Sequence, residues 1–342
     1  MRVIKLSLTT GECEVLLGES IANLKNYCNA EKLAIITDRN VRSIYGHLFP
    51  AAEVIEIGLG EESKTLETVN MIYERFLQSG LDRSSTVVGI GGGIISDIAG
   101  FAASTYLRGL CFGFVPTTLL AQVDACVGGK NGVNFKGYKN LIGVFRQPQF
   151  CILDFGLLKT LPERELRCGM AEVVKHALIG DPTLFSYLEE NSASALSLHR
   201  TVIEKIVHDS LVVKIKIVSA DETEKGERRK LNFGHTFGHA VERTLGIPHG
   251  EAVSIGMVVA ARLSVSMGML AKKDGERIEA LLEKIGLPTA IKGDKEAIFD
   301  AIEKDKKREN ENINFVLLEG IGKAKVAEIS IRELEGIVND LC

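Results

Sequence analysis

Short, uninterrupted apolar runs alternate with helical stretches through the first half of the chain, and this alternation most constrains the fold. The apolar runs cover residues 32–37, 54–57, 86–90, 111–115 and 150–153. Residues 63–79 and 94–103 lie between such runs and carry apolar side chains at helical spacing. Strands that are apolar on both faces are typical of a parallel sheet covered by helices on both sides. We therefore predict an α/β unit with a parallel sheet, and residues 1–15 alternate like one further strand.

The second half of the chain is mostly helical in its pattern. The predicted helices cover residues 163–179, 184–189, 199–220, 231–245, 251–267, 275–285 and 295–306, and strand-like runs return at 314–318 and 323–328. A loop is indicated at Lys159-Thr160-Leu161-Pro162. We therefore predict two domains, residues 1–160 and 161–342. No low-complexity linker separates them, so a ligand cleft at their interface is expected.

Composition excludes several classes of protein. Apolar residues make up 45% and the net charge is −4, so disorder and a chain-wide cationic field for nucleic acid or membrane are not expected. No apolar run is long enough to span a bilayer, and residues 1–15 lack the apolar block of a secretory signal. The seven cysteines include no CxxC pair, which favours reduced thiols in a cytoplasmic protein.

A glycine turn is the first candidate ligand site. Residues 86–97 read TVVGIGGGIISD, which predicts a strand, a tight turn and the start of a helix. Glycines allow a phosphate to approach the main chain, and a helix N-terminus supplies N–H groups and a positive dipole. The order differs from GxGxxG, so the usual dinucleotide fingerprint is absent. A tight turn without a ligand remains the alternative, and Asp97 could be a helix cap.

Two histidines predict a possible metal site. His235 and His239 are one helical turn apart in NFGHTFGH, with Asn232 expected on the same helix face. His249 follows a proline, and Glu172 lies in the apolar segment GMAEVVK. Together these groups could form a site of the kind that catalytic Zn²⁺ uses. The alternatives are a structural histidine pair and a surface ion pair between Glu172 and Lys175.

Basic residues next to glycines are candidate anion ligands. Lys130 lies in GGKNG and Lys139 in GYKN, and both stretches are expected to be loops. Lys175, Lys214 and Arg228 are further candidates in the second half. Ordinary surface lysines are the alternative reading. The residues alone thus predict an enzyme with a phosphate turn, a possible metal site and an anionic small substrate, without specifying a reaction.

Taken together and in order, the motifs resemble the 3-dehydroquinate synthases of the shikimate pathway. The similar segments are GGGIISDIAGFAASTYLRG, VPTTLLAQVDACVGGKNGVN, KNLIGVFRQP, LKTLPERELRCGMAEVVKHALI, ADETEKGERRKLNFGHTFGHAVE and PHGEAVSIGM, followed by DKK and FVLL. The resemblance runs from about residue 38 to residue 324, nearly the whole chain. The resemblance implies a Rossmann-like, NAD-binding first domain, a helical second domain with the site between them, and a homodimer.

The resemblance also implies roles for individual residues. Zn²⁺ or Co²⁺ would be held by Glu172, His235 and His249, so that His239 faces the substrate. NAD contacts would come from Asp38, Asn40, Glu61, Lys64, Gly92, Gly93, Ile94, Asp97, Thr117, Thr118, Lys130, Lys139, Leu157 and Thr160. Substrate contacts would come from Asp124, Lys130, Asn140, Lys175, Lys214, Glu224, Arg228, Asn232, His239 and one of Lys306 and Lys307. Arg108 is a further candidate for the substrate phosphate, which it could reach across a dimer interface.

The implied reaction converts 3-deoxy-D-arabino-heptulosonate 7-phosphate into 3-dehydroquinate and phosphate. Transient oxidation of the C5 hydroxyl by NAD acidifies the neighbouring proton, and phosphate then leaves by elimination. Return of the hydride, ring opening and an intramolecular aldol step complete the carbocycle. NAD is recycled within each turnover, and the metal polarises the oxidised oxygen.

The sequence departs from the family pattern in three places. Asn131 stands where threonine is usual, residues 135–138 replace an HPLG-type stretch, and residues 309–312 lack the usual glycine.

Three alternative functions stay open. They are another sugar phosphate cyclase acting on a substrate without a carboxylate, a metal-dependent polyol dehydrogenase, and a non-catalytic NAD- or metal-binding regulator. The set Lys130, Lys214, Arg228 and Asn232 is the expected carboxylate pocket and favours the synthase.

Overall fold

A computed structural model of the protein describes residues 1–28, 32–291, 297–298 and 312–330. The chain divides into two compact units, Met1–Leu161 and Pro162–Cys342. Each unit has its own secondary structure and its own core.

The first unit is an α/β structure. Its strands and helices, in chain order, are β1 (Arg2–Leu8), β2 (Gly11–Leu17), β3 (Leu33–Asp38), α1 (Arg39–Tyr45), β4 (Glu53–Ile57), α2 (Leu66–Gln78), β5 (Thr86–Gly91), α3 (Gly93–Thr105), β6 (Cys111–Pro116), β7 (Lys130–Phe135), β8 (Tyr138–Phe145) and β9 (Phe150–Leu153). All six residues of β5 and all four of β9 are buried. This burial explains why those strands are apolar without alternation.

The main sheet of this unit has the strand order β1-β2-β9-β6-β5-β3-β4. Strand β1 pairs antiparallel with β2, and the other pairs in this sheet are parallel. The chain moves outward from β3 to β4 and then returns to β5 on the other side of β3. The sheet therefore has a topological switch point between β3 and β5, where open α/β sheets bind ligands beyond the strand carboxyl ends. The predicted Rossmann-like class with a parallel sheet is confirmed.

Two hairpins differ from the sequence predictions. Residues 1–15 do not form one strand, because the chain turns at Thr9 and Thr10 and β2 returns along β1. The alternation continues through this turn, which conceals it from pattern analysis. The glycine- and lysine-rich stretch from Lys130 is likewise not a loop. It forms β7 and β8, which pair antiparallel around a turn at Lys136 and Gly137.

The second unit is mainly helical. Its elements are α4 (Glu163–Gly180), α5 (Pro182–Leu196), α6 (Arg200–Ala220), α7 (His235–Leu245), α8 (His249–Ser266), α9 (Lys272–Ile285), β10 (Asn312–Gly320) and β11 (Lys323–Ser330). Helix α4 is buried almost continuously from Cys168 to Ile179, and α8 from Ala252 to Ala261. A helix that is buried on all sides is typical of the centre of a helical layer. Within the described ranges, no helix is both long enough and apolar enough to cross a bilayer.

The predicted helix 231–245 is shorter than expected. A 3-10 helix covers Glu227–Asn232, and the α-helix begins only at His235, after Gly234 adopts a left-handed conformation with φ of +78°. Asn232 therefore does not share a helix face with His235, contrary to the prediction. The predicted helix 295–306 lies outside the described residues except at positions 297–298.

Candidate functional site

A carboxylate and two imidazoles converge inside the second unit. The Oε1 atom of Glu172 lies 3.6 Å from Nε2 of His235 and 3.6 Å from Nε2 of His249. One ligand atom from each of the three residues lies within 4.8 Å of the other two. Helices α4, α7 and α8 each supply one of these residues. The structure thus brings together three groups that are distant in sequence: Glu172 is 63 residues before His235, and His249 is 14 residues after it.

Each of the three groups has a second partner that fixes its orientation. The other carboxylate oxygen of Glu172 is paired with the ammonium of Lys175, and both side chains are buried. Nδ1 of His235 lies 3.1 Å from the carbonyl oxygen of Phe233. Nδ1 of His249 lies 3.1 Å from a carboxylate oxygen of Glu242. Both imidazoles therefore donate Nδ1–H outward and turn Nε2 towards Glu172, the arrangement of histidines that bind metal.

The electrostatics of the two imidazoles differ. Burial lowers the pKa of His235 well below its ordinary value, and the nearby ammonium of Lys175 lowers it further. For His249, burial acts in the same direction, but hydrogen bonds to Glu172 and Glu242 raise its pKa to about 9. An imidazole binds a cation only when Nε2 is deprotonated, so a metal here would compete with a proton on His249.

A close helix crossing brings His249 to Glu172. Gly250 is the second residue of α8, directly after His249, and a Cβ atom at this position would lie 2.3 Å from the Cα of Cys168. Cys168 is one turn before Glu172 on α4. The main chains of α4 and α8 can approach this closely only because residue 250 has no side chain. The distance between the two candidate ligands therefore depends on a glycine.

This donor set fits a divalent transition metal. Ligand atoms ~2.0–2.2 Å from a tetrahedral Zn²⁺ lie roughly 3.3–3.6 Å apart, and the two measured O···N distances are 3.6 Å. One carboxylate oxygen and two imidazole nitrogens form a three-ligand set that leaves a position for an exogenous oxygen. The two helix histidines differ in their surroundings: His235 is buried and groups with Glu172 and His249, whereas His239 is exposed and groups with Glu242 and His249.

Basic side chains are buried in the same unit. Lys175, Lys214 and Arg228 are 1%, 5% and 2% exposed. The guanidinium of Arg228 donates to the carbonyl oxygen of Glu222. Burying three cations is costly unless anions accompany them. The helical unit therefore holds three buried positive charges, one of which is paired with Glu172.

A loop stabilised by Asp221 positions Arg228. The carboxylate of Asp221 accepts hydrogen bonds from the main-chain N–H groups of Lys225, Gly226 and Arg228, at 2.7–3.1 Å. Although burial opposes it, these hydrogen bonds lower the pKa of Asp221. Further along, Asn232 donates to the carboxylate of Glu224 at 2.8 Å. The substrate candidates Glu224, Arg228 and Asn232 thus belong to one connected segment.

In the first unit, the predicted NAD residues follow the carboxyl ends of successive strands. They lie after β3 (Asp38, Asn40), after β4 (Glu61, Lys64), after β5 (Gly92, Gly93, Ile94, Asp97), after β6 (Thr117, Thr118) and after β9 (Leu157, Thr160). This edge of the sheet includes the switch point between β3 and β5. Asp38 caps α1 by accepting from the N–H groups of Asn40 and Val41. Asp97 lies inside α3 rather than at its cap.

A charged cluster connects this edge to the β7–β8 hairpin. The ammonium of Lys64, 4% exposed, donates to Asp97 and to the side-chain oxygen of Asn140, at 2.5 Å in each case. Asn140 has a φ of +53°, and its N–H donates to Asn134 at 2.9 Å. Asn134 in turn donates to Glu61 at 2.8 Å. The structure therefore joins Asn140, expected at the substrate, to residues expected at NAD.

The remaining candidates of the first unit are distributed over several elements. Thr160 and the carbonyl of Leu157 both contact the hydroxyl of Tyr45, at 2.6 and 3.0 Å. Asp124 lies in the π-helical turn Ala121–Ala125. Lys130, Lys139 and Arg108 are exposed, and Arg108 has a φ of +67°. Lys306 and Lys307 lie outside the described residues.

Sequence reasoning missed Glu242, Asp221 and Asn134. Glu242 lies seven residues after His235, a spacing of two helical turns that would have placed it on the same face. Asp221 ends α6 directly before a polar, glycine-containing loop, where such residues commonly bind main-chain N–H groups. No sequence signal distinguishes Asn134 from other polar residues.

The chain combines a parallel α/β sheet and a glycine turn with a carboxylate–imidazole cluster in its helical unit, and solved sugar phosphate cyclases share its fold. A solved structure of 2-deoxy-scyllo-inosose synthase complexed with carbaglucose-6-phosphate, NAD⁺ and Co²⁺ is similar over 100% of both chains, with a TM-score of 0.89 and 28% identity. The 2-epi-5-epi-valiolone synthase of Streptomyces hygroscopicus subsp. jinggangensis, with NAD⁺ and Zn²⁺ bound, is similar at a TM-score of 0.89 and 29% identity, covering 100% of this chain and 99% of that one.

Sequence comparison identifies the family within this class. The family models "3-dehydroquinate synthase N-terminal" and "3-dehydroquinate synthase C-terminal" match residues 54–168 and 169–308. The 3-dehydroquinate synthase of Thermoanaerobacter pseudethanolicus is 44% identical over 332 residues, which cover 93% of this chain and 92% of that protein. The chain belongs to the 3-dehydroquinate synthase family. The resemblance found in the motifs is thereby confirmed.

Proposed function

We propose that the protein converts 3-deoxy-D-arabino-heptulosonate 7-phosphate into 3-dehydroquinate and inorganic phosphate. The observation that carries this proposal is the convergence of Glu172, His235 and His249 beside the buried Lys175, in a chain of the 3-dehydroquinate synthase family. The proposal includes NAD and a divalent cation, Zn²⁺ or Co²⁺. It is supported by the presence of these groups in the two cyclase structures.

The cation would be held by Oε1 of Glu172 and by Nε2 of both imidazoles. When bound, it supplies Lewis acidity, which polarises an oxygen of the substrate. Lys175 neutralises the second oxygen of Glu172 and so directs Oε1 towards the imidazoles. The carbonyl oxygen of Phe233 keeps His235 in the tautomer that presents Nε2.

NAD would bind at the carboxyl edge of the sheet in the first unit. When bound, it supplies hydride acceptance and return. The N-terminus of α3 at Gly93 offers main-chain N–H groups to a pyrophosphate. Lys64, held by Asp97 and Asn140, places a buried positive charge near this edge.

The substrate carries a carboxylate and a phosphate, which require fixed positive charges. We assign Lys214, Arg228 and Asn232 to its carboxylate. Arg228 is held by the Asp221 loop and cannot readjust freely, so it orients its ligand as well as attracting it. His239 is exposed beside the metal ligands, with its ring centre 5.2 Å from that of His235. We assign it to substrate contact.

The proposal also covers the reaction class of the enzyme, its oligomeric state and its location in the cell. Elimination of phosphate would make the enzyme a carbon–oxygen lyase. We propose a homodimer, in line with the family resemblance, and a cytoplasmic location. The location is supported by the six cysteines of the described ranges, all of which are free thiols.

The test is an assay with the heptulosonate phosphate that follows phosphate release and absorbance of NADH together. We expect phosphate release without net accumulation of NADH, loss of activity after metal chelation, and restoration by Zn²⁺ or Co²⁺. Steady accumulation of NADH would instead indicate a polyol dehydrogenase. Equal turnover of a sugar phosphate that lacks the carboxylate would indicate another cyclase.

A variant pair tests the carboxylate assignment. Arg228→Ala removes a buried cation and should cost ~2–4 kcal/mol of transition-state binding, roughly 30- to 1,000-fold in kcat/KM. Arg229→Ala is the control, because Arg229 is the next residue of the same 3-10 helix and is partly exposed. If both variants retain wild-type kcat/KM, Arg228 does not contact the substrate.

A further inference from the structure

Glu242 contacts the nitrogen of His249 that faces away from the metal ligands. Its Oε2 atom lies 3.1 Å from Nδ1 of His249, whereas Nε2 of the same ring lies 3.6 Å from Oε1 of Glu172. The imidazole of His249 therefore lies between two carboxylates, one on α4 and one on α7. Of these two, only Glu172 belongs to the ligand set described above.

The placement of Glu242 follows from helix geometry. Glu242 is seven residues after His235 on α7, so both side chains leave the helix on the same face. The side chain of Glu242 is 13% exposed and that of His249 is 31% exposed. The carboxylate is thus largely withdrawn from water, which strengthens its contact with the partly exposed ring of His249.

The two imidazole ligands are held by different kinds of acceptor. His235 donates to a neutral main-chain carbonyl, which any residue at position 233 would provide. His249 has a carboxylate instead, which depends on one particular side chain. A charged acceptor holds the ring more strongly and increases the electron density at the opposite nitrogen.

We propose that Glu242 is a positioning residue for the metal centre. Its carboxylate accepts Nδ1–H of His249, fixes the tautomer that presents Nε2, and orients the ring towards Glu172 and His235. This inference rests on the proposed function, because it assumes that the three-residue cluster binds a divalent cation.

The test must distinguish the positioning role of Glu242 from a role as a direct metal ligand. Ligand atoms of His239, Glu242 and His249 also lie within 4.8 Å of one another. Glu242 could therefore be a direct ligand in a different site. The geometry favours the positioning role, because Nδ1 of His249 cannot both donate to Glu242 and bind a metal.

The experiment measures Co²⁺ binding to the full-length protein by isothermal titration calorimetry and by visible absorption spectroscopy. The variants are Glu242→Gln, which retains an acceptor oxygen without charge, and Glu242→Ala, which removes the acceptor. Glu279→Gln is the matched control, because Glu279 is a partly buried carboxylate that pairs with Arg262 on a different helix pair. Circular dichroism verifies that each variant is folded.

We expect Co²⁺ affinity to fall roughly tenfold in Glu242→Gln and up to about 100-fold in Glu242→Ala, with no change in Glu279→Gln. The visible bands of the bound Co²⁺ should keep the wild-type pattern, since the ligand set is unchanged. Wild-type affinity in both Glu242 variants would overturn the inference, and so would bands that indicate a changed ligand set. Failure of the wild-type protein to bind Co²⁺ would overturn the proposed function and this inference together.

Discussion

Substituting alanine for Gly250 should disrupt the proposed metal site without altering any of its three proposed ligands. A Cβ atom at this position would lie 2.3 Å from Cα, 2.4 Å from O and 2.7 Å from C of Cys168. All three are main-chain atoms, so no change of rotamer can relieve the overlap. The start of α8 must therefore move away from α4.

The size of this movement follows from the contact distances. Ordinary van der Waals contact begins at 3.4 Å, so the closest pair must separate by about 1.1 Å. His249 is adjacent to Gly250, and Glu172 is one helical turn beyond Cys168. The 3.6 Å separation of the two ligand atoms should therefore widen by a comparable amount. Metal–ligand distances tolerate deviations of only ~0.2 Å.

We expect Gly250→Ala to weaken Co²⁺ binding on the order of 100-fold and to lose activity in proportion. Overpacking of this kind also destabilises a protein by ~1–3 kcal/mol, so the metal-free variant should unfold at lower denaturant concentration. The assay is Co²⁺ titration followed by visible absorption, together with denaturant unfolding of the second unit. Both measurements use the full-length protein.

Gly275→Ala is the matched control for this substitution. Gly275 lies in α9, and a Cβ atom there would meet a terminal methyl of Val265 at 3.0 Å, which a small side-chain shift can relieve. Its metal affinity should equal that of the wild type. If Gly250→Ala binds Co²⁺ as tightly as Gly275→Ala, the main-chain contact does not set the ligand spacing, and the reasoning is wrong.

Three further predictions concern other parts of the molecule. Asp221→Asn removes the charge that binds three main-chain N–H groups and so loosens the loop that holds Arg228. The KM for the substrate should therefore rise about 5- to 30-fold, while the Co²⁺ affinity measured by calorimetry stays unchanged. Lys64→Met leaves the carboxylate of Asp97, 20% exposed, without its ammonium; NAD titration should show weaker binding, and chemical denaturation should show a loss of ~2–4 kcal/mol. Burial raises the pKa of Cys28 and of Cys168 from 9.0 to about 11. Mass spectrometry should therefore find both thiols unalkylated by iodoacetamide at pH 8. Their contribution to the free energy of unfolding should be complete below pH 9 and lost as the pH rises through 11.

The strands of the first unit are well predicted from sequence, for a physical reason. Strands β3, β5 and β9 are buried on both faces, so nearly every residue must be apolar and the run is visible without knowledge of partners. The β7–β8 hairpin is not visible in this way. Its glycines and polar residues are interspersed with apolar ones, and Phe135, Tyr138, Leu141 and Phe145 are exposed, so the stretch contains no continuous buried run. It resembles a loop until the pairing of its two strands and their packing on α3 are known.

The metal cluster shows the limit of reasoning from spacing. His235 and His239 are one turn apart on a helix, and local geometry alone pairs them. The structure instead groups His235 with Glu172 and His249, because α4, α7 and α8 pack together and turn these three side chains towards one point. The family resemblance supplied this grouping at the sequence level, whereas periodicity could not.

The sequence by itself determined the elements of this protein and the chemistry available to it: buried strands, amphipathic and apolar helices, a glycine turn, and a carboxylate in an apolar segment. These properties depend on local spacing and on which residue types water excludes. Only the tertiary structure decided that Glu242 meets His249, that Lys64 joins Asp97 to Asn140, and that Gly250 sets a ligand distance. Such contacts join residues far apart in the chain, and their distances are fixed by how helices and strands pack.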